Sequence, residues 1–273
     1  MRAYHAKFDV IGFNHAELDL AKADEIRAKI SNLQFDVLIN AAAFTNVDLC
    51  ETEEDTAFAI NAEAPGILAE ICRDKNAKLI HFSTDYVFDG HKRQPYTEED
   101  PTNPISAYGE SKRAGEKSVL QTSDRHVVAR VSWVFGPDRP SFVDAMIKRA
   151  QSEEKIEAIG DKWSTPSYTL DLAEMLPRVF DVDGGIVHLA NSGQCTWQEY
   201  AQHALDCCRA AGIPLKASAV GATKLDDMEN WVAQRPVYSV LSTSKYQALT
   251  GLKPRSWRDA VTDYIERSYP SKQ

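Results

Sequence analysis

A tyrosine and a lysine four residues apart are the most informative chemical feature of the sequence. Tyr108 and Lys112 lie in the run Ala-Tyr-Gly-Glu-Ser-Lys, and side chains at this spacing share one face of an α-helix. A nearby ammonium group favours ionisation of a phenol, which otherwise titrates near ~10. The pair therefore predicts an acid–base device that exchanges a proton with a substrate.

A short apolar segment upstream of this pair predicts a buried strand. Residues 78–82 are followed directly by Ser83 and Thr84, which places two hydroxyl groups where the strand ends. Ligands of open α/β sheets bind at the carboxyl ends of the strands. We expect the Thr84 hydroxyl and the Tyr108 phenol to converge on one carbonyl oxygen of a ligand.

Strand-like and helix-like segments alternate through the first part of the chain, which is typical of βαβ units and a parallel sheet. After residue 160 the apolar segments become shorter and Pro and Gly more frequent, which indicates a smaller second lobe. We predict an α/β fold with a doubly wound parallel sheet in residues 1–155 and a second lobe in residues 156–273, from which some segments return to the first domain. The predicted strands are 8–13, 36–40, 78–82, 126–131 and 155–159, and the predicted helices are 21–32, 52–76, a helix capped by Ser106, 141–152, 196–211 and 256–267.

The N-terminal segment lacks a glycine-rich turn. In a dinucleotide-binding fold the first strand leads into such a turn, whose backbone approaches the pyrophosphate at a helix N-terminus. Gly12 is the only glycine before Gly66, and residues 1–7 resemble the end of a helix. We expect the first strand and the phosphate loop to be missing, because the recorded start lies downstream of the natural one or the form is truncated. The alternative is a natural protein that has lost the loop.

Composition excludes several classes of protein. The chain has 273 residues, 43% of them hydrophobic, and a formal net charge of -9, which argues against nucleic acid as a main partner and against a basic membrane-binding face. No apolar run is long enough to span a membrane, and the N-terminus has no signal-peptide core. The five cysteines and seven histidines show neither metal-ligand spacing nor a disulfide framework. We therefore expect a cytoplasmic protein with free thiols and no metal site.

Several ordered runs resemble the dTDP-4-dehydrorhamnose reductases, which are extended short-chain dehydrogenase/reductases. The resemblance covers about residues 8–267 and implies a Rossmann-like NAD(P)-binding domain, incomplete at its N-terminus, with a substrate-binding C-terminal lobe. It implies reduction of the 4-keto group of a nucleotide-linked 6-deoxyhexose, as in the formation of dTDP-rhamnose for cell-surface polysaccharides. The matching runs are 39–48 (INAAAFTNVD), 83–90 (STDYVFDG), 101–104 (PTNP), 108–112 (YGESK), 130–135 (RVSWVF), 164–168 (STPSY), 171–173 (DLA), 185–190 (GIVHLA) and 235–241 (RPVYSVL).

The resemblance implies roles for the acid–base pair and for the hydroxyl group before it. It makes Tyr108 the proton donor to the substrate carbonyl oxygen, and Lys112 the residue that lowers the pKa of Tyr108 while binding the nicotinamide ribose. Thr84 is implied to polarise the same oxygen. Hydride transfer to a carbonyl carbon leaves negative charge on the oxygen, so preplaced hydroxyl groups stabilise the transition state.

Ligand-binding residues are also implied by the resemblance. Small side chains at the cofactor site allow a flat ligand to approach closely, although a tightly packed strand end would use them as well. Trp133 is implied to stack on the hexose but also suits a core position, and Arg130 is predicted to be structural. The implied ligands are NADPH or NADH and a nucleotide sugar, and a homodimer is one expected assembly. The implied cofactor contacts are Asp19, Leu20, Ala41, Ala42, Ala43, Tyr108 and Lys112, and the implied substrate contacts are Thr84, Asp85, Tyr86 and Trp133.

Three functions are compatible with these motifs. The first is the ketosugar reductase, and the second is a noncatalytic subunit that binds a sugar nucleotide or cofactor and regulates a partner enzyme, which the missing phosphate loop favours. The third is a dehydratase or epimerase of the same superfamily. Similar dehydratases carry an Asp-Glu pair directly after the threonine, whereas Tyr86 follows Asp85 here. The sequence therefore favours the reductase over the dehydratase.

Overall fold

The computed structural model describes residues 4–269, in which strands and helices alternate along the chain. A π-helix spans Ala59–Glu63, and 3-10 turns span Asp85–Val87, Leu176–Val179 and Leu225–Asp227. The strands are β1 (Val37–Asn40), β2 (Lys78–Thr84), β3 (Val127–Val131), β4 (Val134–Phe135), β5 (Ile156–Ile159), β6 (Trp163–Ser164), β7 (Ser167–Tyr168), β8 (Gly185–His188), β9 (Cys195–Thr196) and β10 (Val220–Thr223). The α-helices are α1 (Ala23–Ile30), α2 (Val47–Thr52), α3 (Glu54–Phe58), α4 (Ala64–Asp74), α5 (Ala107–Thr122), α6 (Phe142–Ser152), α7 (Thr169–Met175), α8 (Trp197–Ala210), α9 (Ser244–Thr250) and α10 (Trp257–Ser268).

A parallel sheet in the order β1-β2-β3-β8 organises the first part of the molecule. Val37 pairs with Lys78, and Ile80 pairs with Val127, so the carboxyl ends of β1, β2 and β3 meet at one edge. The fourth strand comes from the later part of the chain, since β8 pairs with β3. The proposed boundary at residue 155 stays a prediction, and β8 is a segment that returns to the first sheet.

Helices cover both faces of this sheet. On one face, side chains of α1, α4 and α5 pack against Leu79 and Val128 in one apolar cluster. On the other face, α7, the 3-10 turn after it and α9 pack against Ile80, Val127 and Ala129. Two-sided burial explains the nearly continuous apolar sequence of β2 and β3. The predicted α/β fold with a doubly wound parallel sheet is confirmed.

The strand predicted at residues 8–13 is wrong. These residues form no strand, and Phe8 and Ile11 are exposed. Within residues 4–269 the outer edge of β1 has no partner strand, and residues 8–13 do not pair with it. An apolar segment becomes a strand only where a neighbouring strand satisfies its backbone groups.

The long helix region predicted at residues 52–76 is helical, but its bounds differ and it is not one continuous helix. The helical region starts earlier, at α2, where the Asn46 side chain accepts a hydrogen bond from Leu49 N at 3.1 Å, and a π-helix interrupts it. Within the π-helix, buried Asn61 binds both backbone groups of Phe44, at 2.9 and 3.0 Å, and donates to Ser111 Oγ at 3.1 Å. The irregularity thus connects the turn after β1 to α5, which fits the frequent location of π-bulges at functional sites.

Gly115 lets α5 approach this π-helix, and Gly115→Ala is expected to destabilise the protein. A Cβ atom at residue 115 would lie 2.1 Å from the backbone oxygen of Asn61. We expect a loss of about 1–3 kcal/mol in the free energy of unfolding, the usual range for overpacking, measured by urea denaturation. Gly66→Ala on α4 is the control, because its nearest contact would be 3.3 Å from a Ser118 side-chain atom. Equal stability of the two variants would contradict this reading of the α5 packing.

The second part of the chain forms a smaller α/β unit. Here β5 pairs with β10, β4 with β7 and β6 with β9, and an aromatic-rich core unites α6, α8 and α10. The predicted helices 141–152, 196–211 and 256–267 correspond to α6, α8 and α10 within a few residues. In the part of the chain that is described, no helix combines the length and apolar character needed to cross a membrane.

Candidate active site

The start of α5 places Tyr108 and Lys112 on one buried face, as the spacing predicts. The Ser106 side chain caps the helix by accepting a hydrogen bond from Gly109 N at 3.2 Å. Tyr108 is 9% exposed and Lys112 only 2%. A Cβ atom at residue 109 would lie 2.3 Å from the backbone oxygen of Tyr86. Glycine at this position therefore allows the helix to sit directly against the carboxyl end of β2.

Lys112 reaches from α5 to the backbone of β2. Its Nζ donates to the Phe82 carbonyl at 2.7 Å and lies 3.4 Å from His81 Nε2. Burial lowers the pKa of Lys112 to about 8, although the Glu116 charge raises it. Burial and the Lys112 charge together depress the pKa of His81 well below its usual value. The histidine is therefore neutral, and Lys112 is the cation that lies beneath the carboxyl end of the sheet.

The pKa of Tyr108 differs from the sequence-based expectation. Burial raises this pKa, while a hydrogen bond with the Thr84 hydroxyl lowers it. Lys112 Nζ binds the Phe82 carbonyl, and a lowering of the Tyr108 pKa by Lys112 stays a prediction. The Tyr86 ring packs against Tyr108 edge-on, with 5.7 Å between the ring centroids, and adds apolar surroundings. Tyr108 therefore keeps its proton at neutral pH, as a proton donor must.

Thr84 lies at the end of β2 beside the Tyr108 phenol. Its Oγ1 donates to Asp85 Oδ1 and accepts from Tyr86 N, both at 3.2 Å. Thr84 Oγ1 thus lies between the Asp85 carboxylate and the backbone of Tyr86. The Thr84 side chain is close enough to Tyr108 to lower its pKa, and their convergence on one carbonyl oxygen of a ligand stays a prediction.

Asp85 is held inside the protein. Only 3% of it is exposed, and its Oδ2 accepts hydrogen bonds from Ser132 Oγ at 2.8 Å and Ser239 Oγ at 2.5 Å. Burial raises the pKa of Asp85, while the Lys162 charge and these hydroxyl groups lower it. A sugar contact by Asp85 stays a prediction, and in this structure its carboxylate binds protein hydroxyl groups.

Trp133 stands at the border of the second unit in a strained backbone conformation. Its φ is +46°, in the left-handed region that non-glycine residues occupy mainly at functional sites. The indole is half-buried. It stacks on Trp197 at 5.0 Å and packs edge-on against Tyr200 at 4.8 Å. The Phe142 ring also packs on it, at 5.3 Å, and stacking of Trp133 on a sugar ring stays a prediction.

The residues predicted to contact the cofactor lie around the carboxyl end of β1. Ala41 and Ala42 are exposed and Ala43 is half-buried, and the Asn40 side chain fixes this turn by accepting from Ala42 N at 3.3 Å. Small side chains at this turn leave room for a ligand, and contact of residues 41–43 with a cofactor stays a prediction. No glycine-rich turn for the pyrophosphate is present in residues 4–36.

The predicted adenine-side residues precede α1. The Asp19 side chain accepts from Ala21 N at 3.0 Å and lies 3.4 Å from Lys22 Nζ, and it remains one-quarter exposed. Leu20 packs in the same apolar cluster as Leu38 of β1. The two residues therefore flank the sheet near β1, and their contact with a cofactor stays a prediction.

Sequence reasoning missed two groups that support the site. Lys162, a fully buried lysine, and Ser239 approach Asp85 from the second unit. Arg235 forms an ion pair with Asp48 at 2.8 Å that links the two units. Arg235 and Ser239 lie in the run 235–241, which matched the resemblance but carried no chemical assignment. A single lysine after a predicted strand forms no motif, so the sequence does not indicate that Lys162 is buried beside Asp85.

Thr84→Val tests the hydroxyl group beside Tyr108. The substitution keeps the shape of the side chain but removes its hydrogen bonds, and we expect kcat for ketone reduction to fall about tenfold, the effect of one lost hydrogen bond. Thr122→Val is the control, because Thr122 Oγ1 binds Ser118 O at the far end of α5. Unchanged kcat in Thr84→Val would show that Thr84 does not act on the substrate oxygen.

Comparison with known proteins identifies a family and several similar reductases. The family described as RmlD substrate binding domain matches residues 2–269. A probable dTDP-4,6-dihydroxy-2-methyloxan-3-one 4-ketoreductase of Streptomyces antibioticus is 38% identical over 259 residues, covering 93% of this chain and 85% of the relative. A dTDP-4-dehydrorhamnose reductase of Mycolicibacterium smegmatis is 37% identical over 261 residues, covering 94% of this chain and 77% of the relative.

A solved structure extends the likeness to the fold. The crystal structure of dTDP-4-dehydrorhamnose reductase from Bacillus anthracis in complex with NADP has a TM-score of 0.89 and 29% identity. The match covers 96% of this chain and 91% of that one, so it includes both the parallel sheet and the second unit. The chain belongs to the RmlD substrate binding domain family, the family of the dTDP-4-dehydrorhamnose reductases.

Proposed function

We propose that this protein reduces the 4-keto group of a dTDP-linked 6-deoxyhexose such as dTDP-4-dehydrorhamnose, with NADPH or NADH. The observation that carries the proposal is the placement of buried Tyr108 and Lys112 on one face of α5, with Lys112 bound to the Phe82 carbonyl of β2 and buried Thr84 at the carboxyl end of that strand. Relatives named as 4-ketoreductases and reductases of dTDP sugars support the substrate class. The NADP complex of a structural relative supports the cofactor.

Each residue has a defined part in this reaction. A reduced nicotinamide, when bound, supplies the hydride for the carbonyl carbon. Tyr108 gives its proton to the carbonyl oxygen as negative charge develops there. The Thr84 hydroxyl, which donates to Asp85 in the structure, would turn its hydrogen to the same oxygen and stabilise that charge. The Lys112 ammonium, fixed by the Phe82 carbonyl, would bind the nicotinamide ribose and favour the tyrosinate that remains after proton transfer.

The proposal also includes a residue that binds the hexose, a cellular location and an assembly state. Trp133 would stack on the hexose, since its indole is only half-buried and a flat aromatic ring suits a sugar ring. The five cysteines are free thiols, which supports the reducing cytoplasm as the location.

A homodimer stays a prediction that light scattering on the purified protein tests.

The test is reduction of dTDP-4-dehydrorhamnose by the purified protein. We expect the absorbance of reduced nicotinamide to fall only when both the sugar nucleotide and NADPH or NADH are present, with a dTDP-6-deoxyhexose as the product in mass spectrometry. Parallel reactions with each cofactor establish which one is used. Binding of the sugar nucleotide without turnover would contradict the reductase and favour the noncatalytic subunit.

A further inference from the structure

Lys162 is a buried cation with no part in the reaction described above. It lies between β5 and β6 and is 1% exposed, and its Nζ donates to the Pro236 carbonyl at 2.7 Å. Burial lowers the pKa of Lys162 to about 8, although the Asp85 charge raises it. A buried ammonium group is costly unless opposite charge and hydrogen bonds compensate for the lost hydration. A buried lysine this close to Asp85 and Tyr86 is therefore expected to have a function that offsets this cost.

Lys162 lies beside a hydrogen-bonded group that joins the second unit to the end of β2, and its charge acts on Asp85 in that group. The Ser239 Oγ donates a hydrogen bond to Asp85 Oδ2 at 2.5 Å and lies 2.8 Å from Ser164 Oγ. The backbone two residues earlier, at Val237, accepts a hydrogen bond from the first residue of β6. Ser132, next to the predicted sugar-stacking Trp133, donates to the same Asp85 oxygen at 2.8 Å. Asp85, next to Thr84, thus accepts hydrogen bonds from two distant parts of the chain as well as from Thr84 itself.

The same lysine contacts the ring that packs on the proton donor. Lys162 Nζ lies 5.2 Å from the centroid of the Tyr86 ring, within the range of a cation–π interaction. The Tyr86 ring in turn packs edge-on against Tyr108 at 5.7 Å. One buried charge therefore acts on the two residues that follow Thr84, on the Asp85 carboxylate and on the Tyr86 ring.

We propose that Lys162 is a positioning residue for ketone reduction, which holds Asp85 and Tyr86 so that Thr84 and Tyr108 face the same carbonyl oxygen. The inference rests on the proposed reductase function, because it assigns Lys162 to the geometry of that proton donor. It also explains the donors around Asp85: the carboxylate is a fixed internal anchor between the two units, and Lys162 supplies its compensating charge.

Lys162→Met, compared with Lys78→Met, tests this role. Methionine keeps the length of the side chain and removes its charge. We expect kcat to fall by about 10- to 100-fold with little change in KM, because displacements of about 1 Å at a catalytic group have effects of this size. Lys78 is also a buried lysine, 7% exposed, whose Nζ binds the Val182 carbonyl, but it lies at the opposite end of β2. Lys78→Met should therefore keep the wild-type kcat.

The kinetic outcome separates a positioning role from a merely structural one. If both variants lose thermal stability but keep kcat at temperatures where they are folded, Lys162 is structural and the proposal is overturned. A double variant with Asp85→Asn adds a second criterion. If Lys162 acts through the Asp85 charge, Lys162→Met should change kcat less in the Asp85→Asn background than in the wild type.

A crystal structure of Lys162→Met gives a readout that does not depend on turnover. We expect the Tyr86 and Tyr108 rings to move from their separation of 5.7 Å and the Asp85 side chain to reorient. Unchanged ring and carboxylate positions would overturn the proposal. If the wild-type protein fails to reduce any dTDP-ketosugar, the proposed function fails, whereas this structural comparison still decides whether Lys162 orders the site.

Discussion

Tyr108→Phe is expected to lower kcat for ketone reduction by about 10²–10⁴-fold, the usual contribution of a general acid. The substitution removes only the hydroxyl group and leaves the ring against Tyr86. Because burial raises the pKa of Tyr108, the wild-type phenol carries the proton that the alkoxide requires. Without it, the negative charge on the substrate oxygen would depend on Thr84 alone, so the loss should exceed that of Thr84→Val.

Steady-state kinetics with dTDP-4-dehydrorhamnose measure this effect, with the binding of the sugar nucleotide followed by calorimetry. Tyr246→Phe is the matched control, because Tyr246 is a buried tyrosine of α9 that packs on the sheet away from the site. We expect Tyr108→Phe to bind the sugar nucleotide nearly as well as the wild type. Retention of more than about one-tenth of the wild-type kcat would show that another group donates the proton.

Arg130→Met is expected to give the largest loss of stability, about 3–5 kcal/mol in the free energy of unfolding. In the native protein, Arg130 Nε and Nη2 bind the two carboxylate oxygens of Glu116 at 2.8 and 2.7 Å. The two side chains are only 2% and 4% exposed, and the guanidinium lies 5.0 Å from the centroid of the Phe88 ring. Methionine would leave the Glu116 charge buried without its partner, which is the costly part of breaking such a pair.

Urea denaturation of two further variants separates this mechanism from the loss of packing. Arg27→Met breaks an ion pair of similar length, 2.8 Å to Glu70, between side chains that are 50% and 45% exposed, and it should cost less than about 1 kcal/mol. The double variant Arg130→Met, Glu116→Leu should recover most of the stability, because no charge is left unpaired. A double variant as unstable as Arg130→Met would assign the loss to packing instead.

Local patterns predicted the elements that carry the site. The apolar run before Ser83 indicated β2, and Ser106 indicated the start of α5, because strands with two buried faces and capped helices have strong local signatures. The same reasoning failed at residues 8–13, where an apolar segment has no strand beside it. It also failed at the π-helix, whose register depends on contacts of Asn61 with distant residues.

The sequence by itself determined the lineage and the shared face of Tyr108 and Lys112, since helical spacing is a local property. Only the tertiary structure decided the electrostatics. Burial against Tyr86 raises the pKa of Tyr108, and a carbonyl group of β2 holds the Lys112 ammonium. Only the tertiary structure shows that the Lys162 charge, from another part of the chain, acts on Asp85. The pKa of a buried group depends on the burial and the charges that other segments bring to it. Residue spacing along one helix or strand does not determine which segments those are.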